Sequence, residues 1–307
     1  MTNGGMDNQS AMNRTADIAT PLSDMIRSSI EFAYEHRSRF GDAPTPGSRA
    51  HMEWAKDLRG LAPQRQLDIE EAHETSAGIY ILAAAYFLTA LARLLGAEME
   101  LFAYQVVARS VVECAAKAWW LNDPGASVDE RLGRLYVDKL NNIEEMVRAE
   151  RLPKTELADR RKQLVARARQ SGVEQKLSRK NDLIGFGTID RIGSTALVGQ
   201  CLDAFGYEDG ELWYRRVSAV VHATPYGLLD FFKMTDIPGT ELKELHPSLS
   251  LDEVLRAAFV ATQAYLGAIE FDCRYMGWDG ERVAQYRNEL TTQMTSLTPV
   301  QQHVETH

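Results

Sequence analysis

Cysteine is scarce in this chain, and the three present, Cys114, Cys201 and Cys273, are far apart. No C-x-x-C occurs, so neither a disulfide framework nor a zinc knuckle is suggested, and a reducing, cytoplasmic setting is the expectation. The leading residues, MTNGGMDNQSAMNRTADIATP, lack the apolar core of a signal peptide. No segment alternates apolar and polar residues with the period of a strand, and no internal repeat is visible. The longest apolar run, 77–92, covers 16 residues, is interrupted by Thr89 and is closed by Arg93. That is short of the roughly 20 residues needed to cross a bilayer, so a core helix and no membrane partner are expected. Positive charge is also in deficit: the net charge of −9 argues against a general nucleic-acid binder. The glycine-rich stretch GFGTIDRIGS (185–194) has no lysine followed by Ser or Thr, so it is no phosphate-cradling P-loop. No serine sits in a nucleophile elbow, and no cysteine has a local histidine partner. Glu70 and His73 form one E-x-x-H, but a di-iron bundle needs a second copy. A mononuclear site built from Glu70, His73 and Glu113 is disfavoured, and neither metal nor cofactor is expected.

What is present is helical periodicity across 307 residues, enough for one large domain with a full core. Helices are predicted at 23–40, 68–95, 98–121, 127–150, 153–170, 208–233, 251–276 and 279–296. Gly96 breaks the pattern between the second and third, which predicts a long antiparallel helical hairpin. Ser127 and Glu130 have capping-box spacing at the next helix start. Residues 178–194 read as irregular, and IPGTELKELHPSLS (237–250) as a loop. The expected architecture is an all-α bundle. It comprises a disordered leader over 1–20, one helical domain over 21–297 and a disordered tail over 298–307. The region 148–195 reads as a basic helical insertion or lid.

Few segments suggest chemistry, and the strongest is YRRVSAVVHAT (214–224). At about 100° per residue, Arg215, Ser218 and His222 fall on one helical stripe, with Trp213, Val217 and Val221 on the opposite side. Arg216 lies a quarter turn or more off that stripe. Pro225 cannot continue the helical hydrogen bonding, so the helix is expected to kink or end near His222 and leave it accessible. A histidine near neutral pKa can take the proton of a 2′-hydroxyl or give one to a leaving oxygen. An arginine can hold a phosphate and stabilise its developing charge. The same residues also suit a packed or subunit-facing histidine with its arginines in ion pairs.

This pattern resembles the R-x4–6-H motif of the HEPN superfamily, all-helical proteins that include RNases, toxins and defence factors. Here it reads Arg216-x5-His222 or Arg215-x6-His222. A polar residue often follows the arginine in that family; Val217 after Arg216 departs from this, whereas Arg216 after Arg215 does not. The segments VVARSVVECAAKAWWLNDPG and YRRVSAVVHATPYGLL are also similar to a group of actinobacterial all-helical proteins of no established activity. That similarity covers about 65–140 and 205–235. The HEPN resemblance implies metal-independent RNA cleavage by Arg/His pairs, in a homodimer whose paired sites face one cleft.

Gln105, Arg109, Glu113 and Lys117 follow one another at intervals of four, a continuous polar stripe on an otherwise apolar helix. It is either a solvated face stabilised by i,i+4 pairs or the lining of an internal cleft. In the second case Glu113, with Arg109, could support His222 or Arg215. Residues 148–180 hold eleven Lys/Arg against four acids, a net +7 that leaves −16 for the rest. Arg160, Arg161, Lys162 and Arg167 are the candidate RNA contacts in it; the alternative is a charged face docked on acids of the same protein or its twin. Besides a ribonuclease, two other functions fit. One is a non-catalytic helical interaction or scaffold protein. The other is a small-molecule binder with Trp119, Trp120, Trp213 and Tyr214 lining a pocket.

Overall fold

A computed structural model describes residues 5–55, 62–96, 103–151, 153–229, 231–238, 243–247 and 250–297. The chain is mostly helical. Its helices are α1 (Gly5–Ser38), α2 (Arg49–Trp54), α3 (Pro63–His73), α4 (Leu82–Gly96), α5 (Ala103–Asn122), α6 (Val128–Ala149), α7 (Lys154–Gln170), α8 (Ser194–Ala204), α9 (Gly210–Val221), α10 (Pro225–Leu229), α11 (Leu251–Met276) and α12 (Gly280–Ser296). A π-helical stretch, Glu74–Ile81, joins α3 to α4 without a break. Five short strands complete the described structure: β1 (Gln175–Leu177), β2 (Leu183–Phe186), β3 (Ile189–Asp190), β4 (Phe232–Asp236) and β5 (Lys243–Pro247).

The centre is α11 packed along α5. Helix α11 is buried on nearly every side, with Ala258, Ala261, Ala264 and Ile269 fully enclosed, as expected of a helix surrounded by others. Gly267 makes room there for Phe205, since an added Cβ would lie 2.6 Å from its ring. Ser250 caps the start, and Gly277, at φ 74°, provides the left-handed cap that ends the helix. The α3–π–α4 rod runs antiparallel to α5: Ser76 Oγ donates to the Ala118 carbonyl at 2.9 Å, joining the start of one to the end of the other. Arg131 of α6 is fully buried yet satisfied. It donates to Glu53 at 3.1 Å, reaches the Leu121 and Asp123 carbonyls, and lies 4.1 Å over the Tyr275 ring.

Several expectations need correction. The first helix begins at Gly5 and not at 23. The tail 298–307 and residues 1–4 lie outside the described residues. Arg49–Trp54 forms a short helix capped by Ser48, between the first two expected helices. The helix expected over 68–95 contains π turns, and Pro63–Leu95, 33 residues in all, is long and apolar enough by composition to cross a membrane. One side of that rod is nevertheless packed in the core, where Ala84, Leu88 and Leu91 are fully buried.

The strands were not anticipated. β1, β2 and β3 form an antiparallel sheet inside the supposed lid. The sheet seats on α6 because Gly133 has no side chain; a Cβ there would meet Ile189 at 2.8 Å and the Phe186 carbonyl at 2.9 Å. β4 and β5 pair from Phe232↔Pro247 to Asp236↔Lys243, replacing the end of the helix expected over 208–233 and part of the loop 237–250. Helix α7 is docked and not loose: Arg167 reaches Asp68 and Glu71 of α3, and Leu164 and Ala168 are buried.

Candidate functional site at the end of the Arg–His helix

Helix α9 buries Trp213, Tyr214, Val217 and Val220; Val221, expected on that face, is half-buried. It packs tightly on α8, where a Cβ on Gly210 would lie 2.4 Å from Leu202. The opposite side leaves Arg215 and His222 exposed, with Arg216 and Ser218 half-buried.

The helix ends at His222, as Pro225 led us to expect. The His222 N–H donates to the Ser218 carbonyl at 3.0 Å, closing the last turn. Ala223 then turns left-handed at φ 49°, an unusual conformation for a residue with a Cβ. Thr224 finishes the corner: its hydroxyl donates to the Ala219 carbonyl at 3.0 Å and accepts from the Gly227 N–H at 3.2 Å. Pro225 opens α10, a position that needs no N–H. Gly227 folds back on α9, where a Cβ would stand 2.4 Å from the Ala219 backbone. His222 therefore occupies a hydrogen-bonded corner and is exposed, with no side-chain hydrogen bond or ion pair among the described residues.

The arginines do not join it. Both Nε and Nη2 of Arg215 donate to Glu211 Oε1, at 2.9 and 2.5 Å, one turn back toward the start of the helix. Arg216 lies 3.6 Å from Glu253 of α11. It also lines a cavity of about 20 Å³ with Gln105, Trp213, Phe231 and Glu253, room for about one water molecule. Ser218 stands between Arg215 and His222, and seven helical steps separate those two by about 10 Å along the axis.

Arg109 and Glu113 do not support His222 either. Arg109 Nε donates to Glu113 at 2.9 Å, and the Tyr214 hydroxyl bridges both, donating to Glu113 and accepting from Arg109 Nη2 at 3.3 Å. Burial, reinforced by the Glu113 carboxylate, raises the pKa of the Tyr214 phenol, so it stays protonated and donates. Tyr214 was missed as a polar partner because its spacing marks it only as a core aromatic. One turn on, Lys117 lies 3.6 Å from Asp138 and 4.9 Å over the Tyr80 ring; Tyr80 donates to Asp138 at 2.7 Å. Gln105 is buried and bonded to Tyr104. The polar stripe of α5 is thus a half-buried seam between helices whose groups are bonded within the protein. Trp120 and Trp213 are likewise core residues, and Trp119 packs edge-on against Phe205 and Phe271.

The basic segment is partly neutralised within the chain. Arg160 donates to Glu156 at 2.6 Å, Arg161 pairs with Glu144, and Arg167 with Asp68 and Glu71. Of the four candidate RNA contacts, Lys162 alone is exposed with no ion-pair partner among the described residues. His73 is bonded to Asp272 at 3.1 Å and Glu70 accepts from Gln66, so Glu70, His73 and Glu113 do not converge. Among the described residues no group of three or more His, Cys, Asp or Glu side chains could hold a metal ion.

These features define a mostly helical protein with two small antiparallel sheets, satisfied polar seams and an accessible stripe bearing Arg215 and His222. Compared with protein-family models, curated proteins and solved structures, the chain shows no match.

Proposed function

We propose that this chain is a metal-independent ribonuclease of the HEPN-like kind, acting as a toxin or defence factor, with His222 as the proton-transfer group and Arg215 as the phosphate ligand. The observation that carries the reading is the placement of His222: exposed, without a side-chain partner among the described residues, on the same open stripe as Arg215. The Arg215–Glu211 pair is solvent-exposed at both ends, and such pairs are worth only about 0.3–0.5 kcal/mol on a helix, so a phosphate can displace the carboxylate. His222 would take the proton of the RNA 2′-hydroxyl. The 2′-oxygen would then attack phosphorus, the bond to the 5′-oxygen would break, and that oxygen would take a proton, leaving a 2′,3′-cyclic phosphate and a 5′-hydroxyl. Ser218, on the same stripe, offers a hydroxyl to the phosphate that Arg215 holds. The roughly 10 Å offset between Arg215 and His222 is more than one phosphate spans, so the reading calls for two copies, each giving one member of the pair.

The test is cleavage of end-labelled RNA in EDTA by the purified protein. His222→Ala is expected to lower the rate at least about 100-fold. It should leave the unfolding midpoint unchanged, since the side chain is exposed. Mixing inactive Arg215→Ala and His222→Ala proteins should restore partial activity, because one of the two composite sites is then intact. Equal cutting by wild type and His222→Ala sinks the reading. A second reading, a helical interaction protein, is favoured by the apolar side chains Ile79, Leu82, Tyr86 and Phe87 left exposed along the π stretch and α4. A folded wild type that cuts no RNA but self-associates would support it.

A further inference from the structure

The π stretch and α4 carry a face that the fold leaves open. No charged residue occurs between Glu74 and Arg93. Within this span Ile79 is 59% exposed, Leu82 51%, Tyr86 70% and Phe87 39%, and the adjacent α5 adds Val106 at 40%. Together they expose on the order of 500 Å² of apolar surface, near the top of what a monomer's largest patch shows. Half-buried Ala83, Ala90 and Val107 flank them and extend the face toward the roughly 800 Å² per partner of a standard interface.

The open line recurs at intervals of four: Glu74, Gly78, Leu82, Tyr86 and Ala90, closing at Arg93. An ideal α-helix, at 3.6 residues per turn, would carry such a line around its axis. The π turns of Glu74–Ile81, with their wider i→i+5 bonding, hold more residues per turn and keep its first half straighter. The line has an acid at one end and a base at the other. Both are exposed, and neither has a side-chain partner among the described residues.

From this pattern we infer that the face is covered by a second copy of the same chain, packed antiparallel about a twofold axis near residues 83 and 84. That axis sets Glu74 of each copy against Arg93 of the other and lays Leu82 and Tyr86 of the two copies together. A twofold interface must be self-complementary, and an apolar line with opposite charges at its ends meets that condition. A lipid surface suits it less well: the chain carries a net charge of −9, which anionic headgroups repel, and the other side of the same rod is built into the core. The inference rests on this face alone, so a dimer that leaves RNA intact refutes the nuclease reading without touching it.

The full-length protein should sediment as a dimer at micromolar concentration. Tyr86→Asp should weaken the dimer about 100-fold or more, as loss of a central aromatic does at well-packed interfaces. Glu74→Arg and Arg93→Glu should each weaken it about tenfold, since either change makes two like-charge contacts. The double variant E74R/R93E should recover most of the lost affinity. All these side chains are exposed, and circular dichroism checks that each variant folds. A monomeric wild type at all concentrations overturns the proposal, as does a double variant no better than the singles. A monomer that instead binds phosphatidylcholine–phosphatidylglycerol vesicles, and loses them on Tyr86→Asp, assigns the face to lipid and overturns it too.

Discussion

The ionisable groups around Asp272 and those around His222 are treated in opposite ways. Asp272 is fully buried where four helices meet: Asn122 donates to it at 2.7 Å, His73 lies at 3.1 Å, and Arg37 at 3.2 Å. Asp68 is equally enclosed and receives hydrogen bonds from Gln64, Tyr136, Arg167 and Ser171. At the α9–α10 corner, by contrast, Arg215 keeps a single water-exposed partner and His222 none among the described residues. A carboxylate taken from water must be surrounded by donors, so its site is closed to other ligands. The exposed pair carries no such obligation and stays free to change partners. In this chain the most enclosed electrostatics marks structure, and under the proposed function the exposed pair marks where a phosphate would bind.

The sharpest way to break that comparison is to cut the Asp272 cluster. Asp272→Ala leaves Arg37, His73 and Asn122 facing each other without their acceptor. Removing one partner of a buried pair costs about 3–5 kcal/mol, to be read from urea unfolding. The acid side tests the same idea. Burial alone would raise the pKa of Asp272, but His73, Arg37 and Asn122 outweigh it and hold the carboxyl below its usual range. Asp68 is depressed in the same way, with Ser171, Tyr136 and Arg167 outweighing its burial. A depressed folded pKa means that the unfolded chain binds more protons, so this stability is present above about pH 4 and is lost as pH falls through the lower folded values. Wild type should therefore lose stability steeply below about pH 4, and Asp272→Ala less steeply. Parallel curves would show that the cluster does not hold the fold as described.

Part of this contrast was legible in the sequence. Helix α11 runs over the expected residues, the capping box of Ser127 and Glu130 forms, and α9 stops where Pro225 requires. Those features are local, set by periodicity, caps and a missing N–H. The strands escaped because they are two to five residues long, too short for a period of two to stand out even where β4 alternates over Phe232, Lys233, Met234 and Thr235. The π turns escaped because their side-chain pattern is that of an ordinary apolar helix. Partners distant in the chain were invisible for a different reason: Arg167 finds Asp68 across 99 positions, and Tyr214 finds Glu113 across 101. Spacing within one helix selects a face but not what the face meets. The stripe Arg215–Ser218–His222 was therefore visible as a stripe, and the Arg215–Glu211 pair sits at readable i,i+4 spacing, while the turn of Arg216 toward Glu253 was not legible.

An intermediate effect is expected at Tyr214, which lies beside the exposed stripe yet belongs to the buried seam. Tyr214→Phe keeps the ring and removes the hydroxyl that bridges Arg109 and Glu113. Loss of hydrogen bonds to charged partners should cost about 1–3 kcal/mol of stability, measured by urea unfolding. RNA cleavage by the folded fraction should not change. A variant with unaltered stability and no cleavage would move the seam into the reaction site and erase the distinction drawn above.

The smallest effect is expected at Glu211, and it is the most direct probe of the exposed side. Glu211→Ala removes both hydrogen bonds of the Arg215 guanidinium among the described residues, and both lie in solvent. Stability should change by no more than about 0.5 kcal/mol. RNA affinity should rise about twofold, with a steeper salt dependence, because a released guanidinium neutralises phosphate in place of a carboxylate. Loss of one negative charge would itself favour RNA, so Glu208→Ala is the matched control: Glu208 is exposed nearby and makes no ion pair with Arg215. A gain confined to Glu211→Ala points to Arg215 as a phosphate ligand. Equal gains in both variants would mean that only net charge matters, and the exposed stripe would then be as structural as the buried seams.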